Sequence, residues 1–435
     1  MPGLTRSRPL PRRCYVVCTE VPPGVVGGLG RYAERMLPAL RDLGVPVEVF
    51  GAVGRRLPAR TERDGGLTLH LLPTPGQPGP SPAAHPPEAA YPPQAGFARE
   101  AARPQGVLRP LVRVAGLLAF NVRVAARILR GGRSGAVVAV HDWMGCLAGI
   151  LCRLLGRMPV VFHVHTCEHN TAPGARRTAV TAGITALEDA QARLADLIVV
   201  PSASMRDQLV ARGWPPGRMR VVPHGFEDPE LVRLAGLSPA DRDRLRARVR
   251  ARYLPGGAGR LVVFAGRLAP HKGAHTLIRA VPSLLRDGDE LRVVLIGSGD
   301  RAEVTRLIER EGVAGHVVAD CRFLDPPEVF AHFLAADVCA FPSTYEPFGL
   351  VAIEAMALGR PVVVGPGYSP EVAGDGAVRC RTGSPEELAA ALSRCLDDPG
   401  HAAGLARRGA AHVRARYSWA RTAESTLAAY AEVAR

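Results

Sequence analysis

Short apolar runs recur along the chain, separated by longer stretches whose apolar residues fall at helical spacing. In the first half such runs occupy 13–19, 45–53, 67–72, 136–140, 159–164, 197–201 and 219–222. A second set follows at 261–265, 292–296, 317–323, 338–341, 361–364 and 377–380. Runs this short, without polar alternation, predict parallel strands covered on both faces. The segments 32–43, 111–130 and 419–433 carry apolar residues three and four apart and predict amphipathic helices. Strand and helix alternating in two sets predict two doubly wound, Rossmann-like α/β domains.

Chain length agrees with that division, since 435 residues exceed what one ordinary core serves. The expected boundaries are an N-terminal domain over 1–228, an inter-domain connection over 229–259, a C-terminal domain over 260–412 and a closing helical part over 413–435. The connection is placed where Arg and Asp are dense and apolar residues sparse. Within the first domain, 73–110 is crowded with Pro, Gly and Ala, and reads as a lid, an acceptor-facing segment or plain disorder.

Composition narrows the function classes. Hydrophobic residues at 47% and charged residues at 22% describe a globular chain. A net charge of +15 calls for acidic partners. The arginines, however, are scattered, without interleaved aromatics or a nucleic-acid motif, so nucleic acid is set aside. Phosphate-bearing substrates and a membrane surface remain. Core packing is the favoured role of the helix over 111–130, with weak peripheral membrane contact through Arg113, Arg123, Arg127 and Arg130 as the alternative. The nine cysteines lack Cys-x-x-Cys spacing and sit mostly in apolar runs, as buried thiols of a reducing compartment do. No signal peptide and no membrane span is recognised, so a soluble, cytoplasmic protein is expected.

Polar groups gather where the strands end, the place at which parallel sheets bind ligands. The first strand runs into Gly27-Gly28 and then a helix, an arrangement that lets backbone amides approach a pyrophosphate. Later strands end in His141-Asp142, in His165 and in Pro223-His224-Gly225. His163, His165, Cys167 and His169 alternate, as the ligands of a metal site on one strand face would. The strand should stop near Thr166, which breaks the alternation, so no metal site is assigned. In the second half, Gly266-Arg267 leads to Lys272, the only lysine beside 54 arginines. A compact ammonium in that loop is a good partner for phosphate. The run from Phe341 to Ala357 then places Glu346 in a loop and Glu354 inside a helix starting near Phe348 or Gly349. The amides of Phe348, Gly349, Leu350 and Val351 lie between the two carboxylates as a helix N-terminal anion site.

Glu346, seven residues and Glu354, with Pro347-Phe348-Gly349-Leu350 between them, resemble the donor-binding signature of retaining glycosyltransferases of family four, the glycogen-synthase-like group. The resemblance spans nearly the whole chain and is most specific over 266–357. It implies a GT-B fold, two facing Rossmann-like domains with a cleft between them, and a helix over 419–433 that crosses back to the first domain. It also implies metal-independent transfer of a hexosyl group from a UDP-, GDP- or ADP-sugar to a hydroxyl of a glucan, an aminocyclitol or a lipid-linked acceptor. By the same resemblance Glu346, His165, Arg267 and Lys272 are catalytic, with Arg267 and Lys272 also on the diphosphate. Glu354 falls on the ribose, and Gly27, Gly28, Gly297, Phe323 and the 348–351 amides fall on the donor. His141 and Asp142 fall on the acceptor side. Two departures stand out: Val26 replaces the lysine that glycogen synthases carry before the paired glycines, and Pro366-Gly367-Tyr368-Ser369-Pro370-Glu371 replaces Gly-Gly-x-Pro-Glu. The alternatives are another sugar-nucleotide enzyme on the same fold, such as an epimerase, and a non-catalytic sugar-nucleotide-binding module.

Overall fold

The computed structural model describes residues 9–22, 28–54, 58–75, 108–168, 178–286, 290–321 and 324–434. Gly27, Phe323, His169 and most of the 73–110 segment lie outside them. The chain divides into two compact units: the first comprises residues up to His224 together with Trp419–Arg435, and the second comprises Gly225–Ser418.

The first unit is built on eight strands: β1 Arg13–Val17, β2 Val47–Gly54, β3 Arg60–Asp64, β4 Leu67–Thr74, β5 Ala136–His141, β6 Val160–His163, β7 Leu197–Val200 and β8 Met219–Val221. Their order is β3-β4-β2-β1-β5-β6-β7-β8. All neighbours pair in parallel except β3 with β4. The inner strands are buried along their whole length because helices cover both faces, as their unbroken apolar runs require. Strand β3 (Arg-Thr-Glu-Arg-Asp) was not expected; it is exposed throughout and exists by hairpin pairing to β4 at the sheet edge. Charged residues suit that place, since they deter further strand pairing. The covering helices include α1 Gly28–Asp42, α2 Leu108–Arg130, α3 Cys146–Gly156, α4 Ala179–Leu194 and α5 Ala203–Ala211. Helix α1 buries Leu29, Tyr32, Ala33, Met36, Leu37 and Leu40, one stripe at helical spacing.

Six strands carry the second unit: β9 Arg260–Ala265, β10 Leu291–Ile296, β11 Val317–Asp320, β12 Val338–Phe341, β13 Val362–Val364 and β14 Val378–Arg379. They are all parallel, in the order β11-β10-β9-β12-β13-β14. This is the doubly wound order that reverses direction between its first and fourth strands, here β9 and β12. The residues expected as a connection over 229–259 form α6 Pro229–Ala235 and α7 Pro239–Arg250. Their few apolar side chains, Leu231, Leu234, Val249 and Leu254, enter the second unit's core, so the segment packs there despite its charged composition. Further helices of this unit are α8 Arg301–Arg310, α9 Leu350–Ala357 and α10 Pro399–Arg416. Helix α11, Trp419–Val433, belongs to the first unit, where Ala423, Leu427 and Tyr430 join the core with α1. No helix among the described residues is long and apolar enough to cross a membrane. All nine cysteines are free, and all but Cys321 are buried.

Candidate active site

The second unit's site forms where its sheet reverses, outside the carboxyl ends of β9 and β12. Strand β9 leaves through Gly266, which the glycine at the end of β10 approaches closely. A Cβ on Gly297 would lie 2.0 Å from the Gly266 carbonyl oxygen, so that crossing admits only glycine. The chain then makes a short turn over Pro270–Lys272 and bends at Gly273, whose φ is +81°. A Cβ on Gly273 would stand 2.2 Å from the carbonyl oxygen of Pro342. The loops after β9 and β12 are therefore pressed together, and Thr344 donates its N–H to the His271 carbonyl at 2.9 Å.

That contact delivers Lys272 to Glu346. The Lys272 ammonium donates to Glu346 Oε2 at 2.8 Å, and the Ser343 hydroxyl approaches the same oxygen at 3.3 Å. Both charged side chains are largely shielded, at 19% and 10% exposure. Arg267 comes from the same loop as Lys272, its Nη2 lying 3.5 Å from His271 Nε2. Just beyond Glu346, Gly349 takes φ +93° and ends the loop, and α9 begins at Leu350 with no side chain capping it. Its carbonyl accepts the N–H groups of Ala352 and Ile353. The N–H groups of Leu350 and Val351 head the uncapped first turn and carry the positive end of the helix dipole. Glu354, inside α9, is buried.

Tyr368 seals this corner. Its ring packs on Gly349 so closely that a Cβ there would meet Tyr368 Cε1 at 2.1 Å. The ring is fully buried, and its hydroxyl makes no hydrogen bond. Burial, then the charges of Glu346 and Glu354, hold that phenol well above its ordinary pKa.

The corresponding reversal in the first unit lies between β1 and β5. There β5, β6 and the loop after β8 bring four imidazoles together. His141 and His163 stack at 4.4 Å, His141 Nδ1 is 2.9 Å from His165 Nε2, and the His224 and His165 rings are 5.3 Å apart. Tyr32 of α1 packs on His165 at 4.5 Å and on His224 at 4.8 Å, and Tyr430 of α11 bonds His163 Nε2 at 2.9 Å. Burial keeps all four neutral: His165 is pushed down to about 3, and His141, His163 and His224 well below the usual range. Asp142, fully buried at φ +54°, turns the chain after β5 and accepts the N–H groups of His165 at 2.7 Å and Thr166 at 3.2 Å. The spare nitrogen of His165, Nδ1, is buried without a hydrogen bond. One nitrogen each of His141, His163 and His165 lie within 4.8 Å of one another, near enough to ligate a cation together. This grouping differs from the alternating one in the sequence. Strand β6 ends at His163, and Cys167 turns away to donate to Glu188 at 3.2 Å.

Residues 26–228 match the family model for Glycosyltransferase Family 4, and residues 259–398 that for Glycosyl transferases group 1. A D-inositol 3-phosphate glycosyltransferase of Salinispora tropica is 31% identical, over 98% of this chain and 86% of its own length. The chain belongs to glycosyltransferase family 4. A glycogen synthase of Mycobacterium tuberculosis is 27% identical over 96% of this chain and 94% of its own length. Among solved structures, the catalytic domain of starch synthase IV from Arabidopsis thaliana, bound to ADP and acarbose, superposes with a TM-score of 0.70. That superposition covers 98% of this chain and all of the other at 16% identity, a likeness of fold alone. The fold is GT-B, and the protein is a glycosyltransferase that uses a nucleotide-sugar donor; nothing in these likenesses favours an epimerase or a bare binding module.

Within this glycosyltransferase, the sequence-assigned residues fall into two groups. Arg267, Lys272, Gly297, Glu346, Gly349, Leu350, Val351 and Glu354 gather at the second unit's sheet reversal, and His141, Asp142 and His165 at the first unit's, with Gly28 starting α1. Phe348 directly precedes Gly349, the N-cap residue of α9, and its side chain is buried in the core, edge-on to Tyr417 at 5.5 Å. Sequence reasoning missed Tyr368, Ser343 and the Tyr32 platform. The only signal for Tyr368 was the departure from Gly-Gly-x-Pro-Glu.

Proposed function

We propose that this glycosyltransferase binds the diphosphate of its donor at the second unit's sheet reversal, through Arg267, Lys272 and the Leu350 and Val351 amides. The observation that carries this is the meeting of Lys272 with Glu346 beside the uncapped start of α9. Two fixed cations and a helix N-terminus neutralise the charge that grows on a departing nucleoside diphosphate. These groups perform the task usual for a divalent ion, and transfer is assigned as metal-independent on that ground. Glu346, oriented by Lys272 and Ser343, faces the developing positive charge at the anomeric carbon. Glu354, a pure acceptor when ionised, takes the ribose hydroxyls. Transfer proceeds with retention, as the Glu346–Glu354 signature implies. His165, whose buried Nδ1 lacks a partner, is assigned to a hydroxyl of the donor sugar, and His141 with Asp142 to the acceptor side.

The donor base is open among uridine, guanosine and adenosine, and the acceptor is a hydroxyl of a glycan or of a small molecule. The relatives named above act on both kinds. A thermal-shift panel of UDP-, GDP- and ADP-sugars, run with chelator, tests the assignment. A bound ligand stabilises the native state by linkage. One nucleotide family should raise the melting temperature in the wild type and fail to do so in Lys272→Ala and Glu354→Ala. Stabilisation that survives both substitutions would place the donor elsewhere.

A further inference from the structure

Among the described residues nine large hydrophobic side chains stand out as exposed, and six of them lie on α2 and α3: Val112, Val114, Leu118, Val122, Leu154 and Leu155. The sequence favoured core packing for α2, and one of its faces does pack, through Leu117, Phe120, Val124 and Ile128. The opposite face is also apolar. Val112, Ala115, Ala119 and Val122 recur at intervals of three and four, and all are exposed. Leu154 and Leu155 at the end of α3 are 59% and 68% exposed.

The two helices make one surface. Asn121 Oδ1 accepts the Ala148 N–H at 2.9 Å, and eight residues further along both helices a Cβ on Gly156 would lie 2.4 Å from Leu129. The helices thus run side by side in the same direction, and the apolar exposure extends from Val112 to Leu155 over roughly 25 Å at the helical rise. An apolar face of that length on a soluble unit marks an interaction site.

Charge identifies the occupant. Between residues 101 and 167 the chain has nine arginines and a single acid, Asp142, which is buried at the imidazole cluster. More than half of the chain's net +15 is concentrated in this one stretch. Arg127, Arg130 and Arg157 are exposed beside the apolar face. Exposed leucines and valines flanked by arginines, with no acid among them, complement a surface that is apolar inside and anionic at its boundary.

We infer that the α2–α3 face docks this glycosyltransferase on an anionic lipid surface, the apolar side chains entering the acyl boundary and the arginines meeting the headgroup phosphates. The inference is independent of which donor or acceptor the enzyme uses. The test is co-sedimentation of the full chain with vesicles of phosphatidylcholine alone and of phosphatidylcholine with about one third phosphatidylglycerol. Three proteins are compared: wild type, Leu154→Glu/Leu155→Glu and Arg127→Gln/Arg130→Gln. The wild type should pellet with the anionic vesicles, weakly with the neutral ones, and less as salt rises. Each double variant should bind at least tenfold more weakly while keeping donor-induced thermal stabilisation. Should the leucine pair fail to fold when replaced, the exposed arginine pair decides. No binding to anionic vesicles overturns the proposal, as does binding that both variants retain. Two other results also overturn it: a wild-type dimer that the leucine substitutions dissociate, without lipid binding, assigns the face to a second copy; binding that appears only when residues 76–107 are deleted assigns it to that segment.

Discussion

The Lys272 ammonium lies 2.8 Å from the Glu346 carboxylate, across two loops that leave adjacent strands of one sheet. The pair is shielded, and each partner keeps the other's charge from being buried alone. On the donor binding proposed above, an incoming diphosphate would compete with Glu346 for the lysine and leave the carboxylate available to the sugar. Lys272→Ala should therefore lower kcat about 10²–10³-fold, the loss typical of removing one electrostatic donor from a transition state. Lys272→Arg should recover little, since a planar fork does not reproduce a compact point charge. Steady-state kinetics of both variants checks this; full activity in Lys272→Ala would remove the lysine from the reaction.

Tyr368 makes a prediction of opposite sign. Its hydroxyl is buried without a hydrogen-bond partner beside two carboxylates, a cost the folded protein carries. Tyr368→Phe removes that cost without changing the packing on Gly349. The variant should be more stable by about 1 kcal/mol, read from urea unfolding midpoints. Gly349→Ala should go the other way by more than about 2 kcal/mol, because a side chain there meets both a left-handed φ and the Tyr368 ring. Equal stability of Gly349→Ala and wild type would contradict the geometry of this corner.

The imidazole cluster sets a pH dependence. His165 is neutral down to about 3 in the folded state, and His141, His163 and His224 are also held well below 6.5, all by burial. In the unfolded chain these groups bind protons as pH falls through about 6.5, so the unfolded state takes up more protons and stability drops with acidification. Glu188 opposes this: burial raises it from 4.5 to about 7, so its contribution to stability is largest below 4.5 and fades as pH rises toward 7. Four imidazoles against one carboxyl leave a net loss on acidification, on the order of 3 kcal/mol or more between pH 7 and pH 5. Urea midpoints at those two pH values measure it, and a flat profile would mean the cluster is hydrated.

The parallel strands were legible because a strand covered on both faces has to be apolar, as β12 is throughout and β5 is up to Val140. Strand β3 was not legible, since five polar residues become a strand only through the partner offered by β4. At the site, Lys272 and Glu346 could be named separately from loop composition, but their meeting depends on Gly273 lying against Pro342, a tertiary fact. The start of α9 near Gly349 was legible from the apolar spacing that follows it, whereas the left-handed conformation of Gly349 at the N-cap, which sets the boundary at Leu350, was not. The second apolar face of α2 was ambiguous because a helix with apolar residues on two sides does not say which of them meets a core.

Asp142 supplies the last test. It sits at φ +54°, a conformation costly for most residues but tolerated by Asp and Asn. One carboxylate oxygen collects two N–H groups from the loop that carries His165. Asp142→Ala loses both bonds, takes that acceptor from the buried His165 N–H and the half-buried Thr166 N–H, and keeps the unfavourable backbone, so it should cost about 2–4 kcal/mol. Asp142→Asn retains an acceptor oxygen and the tolerance for positive φ, and should cost about 1 kcal/mol or less. If Asp142 acts only by holding that loop, kcat should fall with stability in the alanine variant and return in the asparagine variant. A kcat that stays low in Asp142→Asn, with stability restored, would instead mean that the carboxylate charge itself meets a substrate.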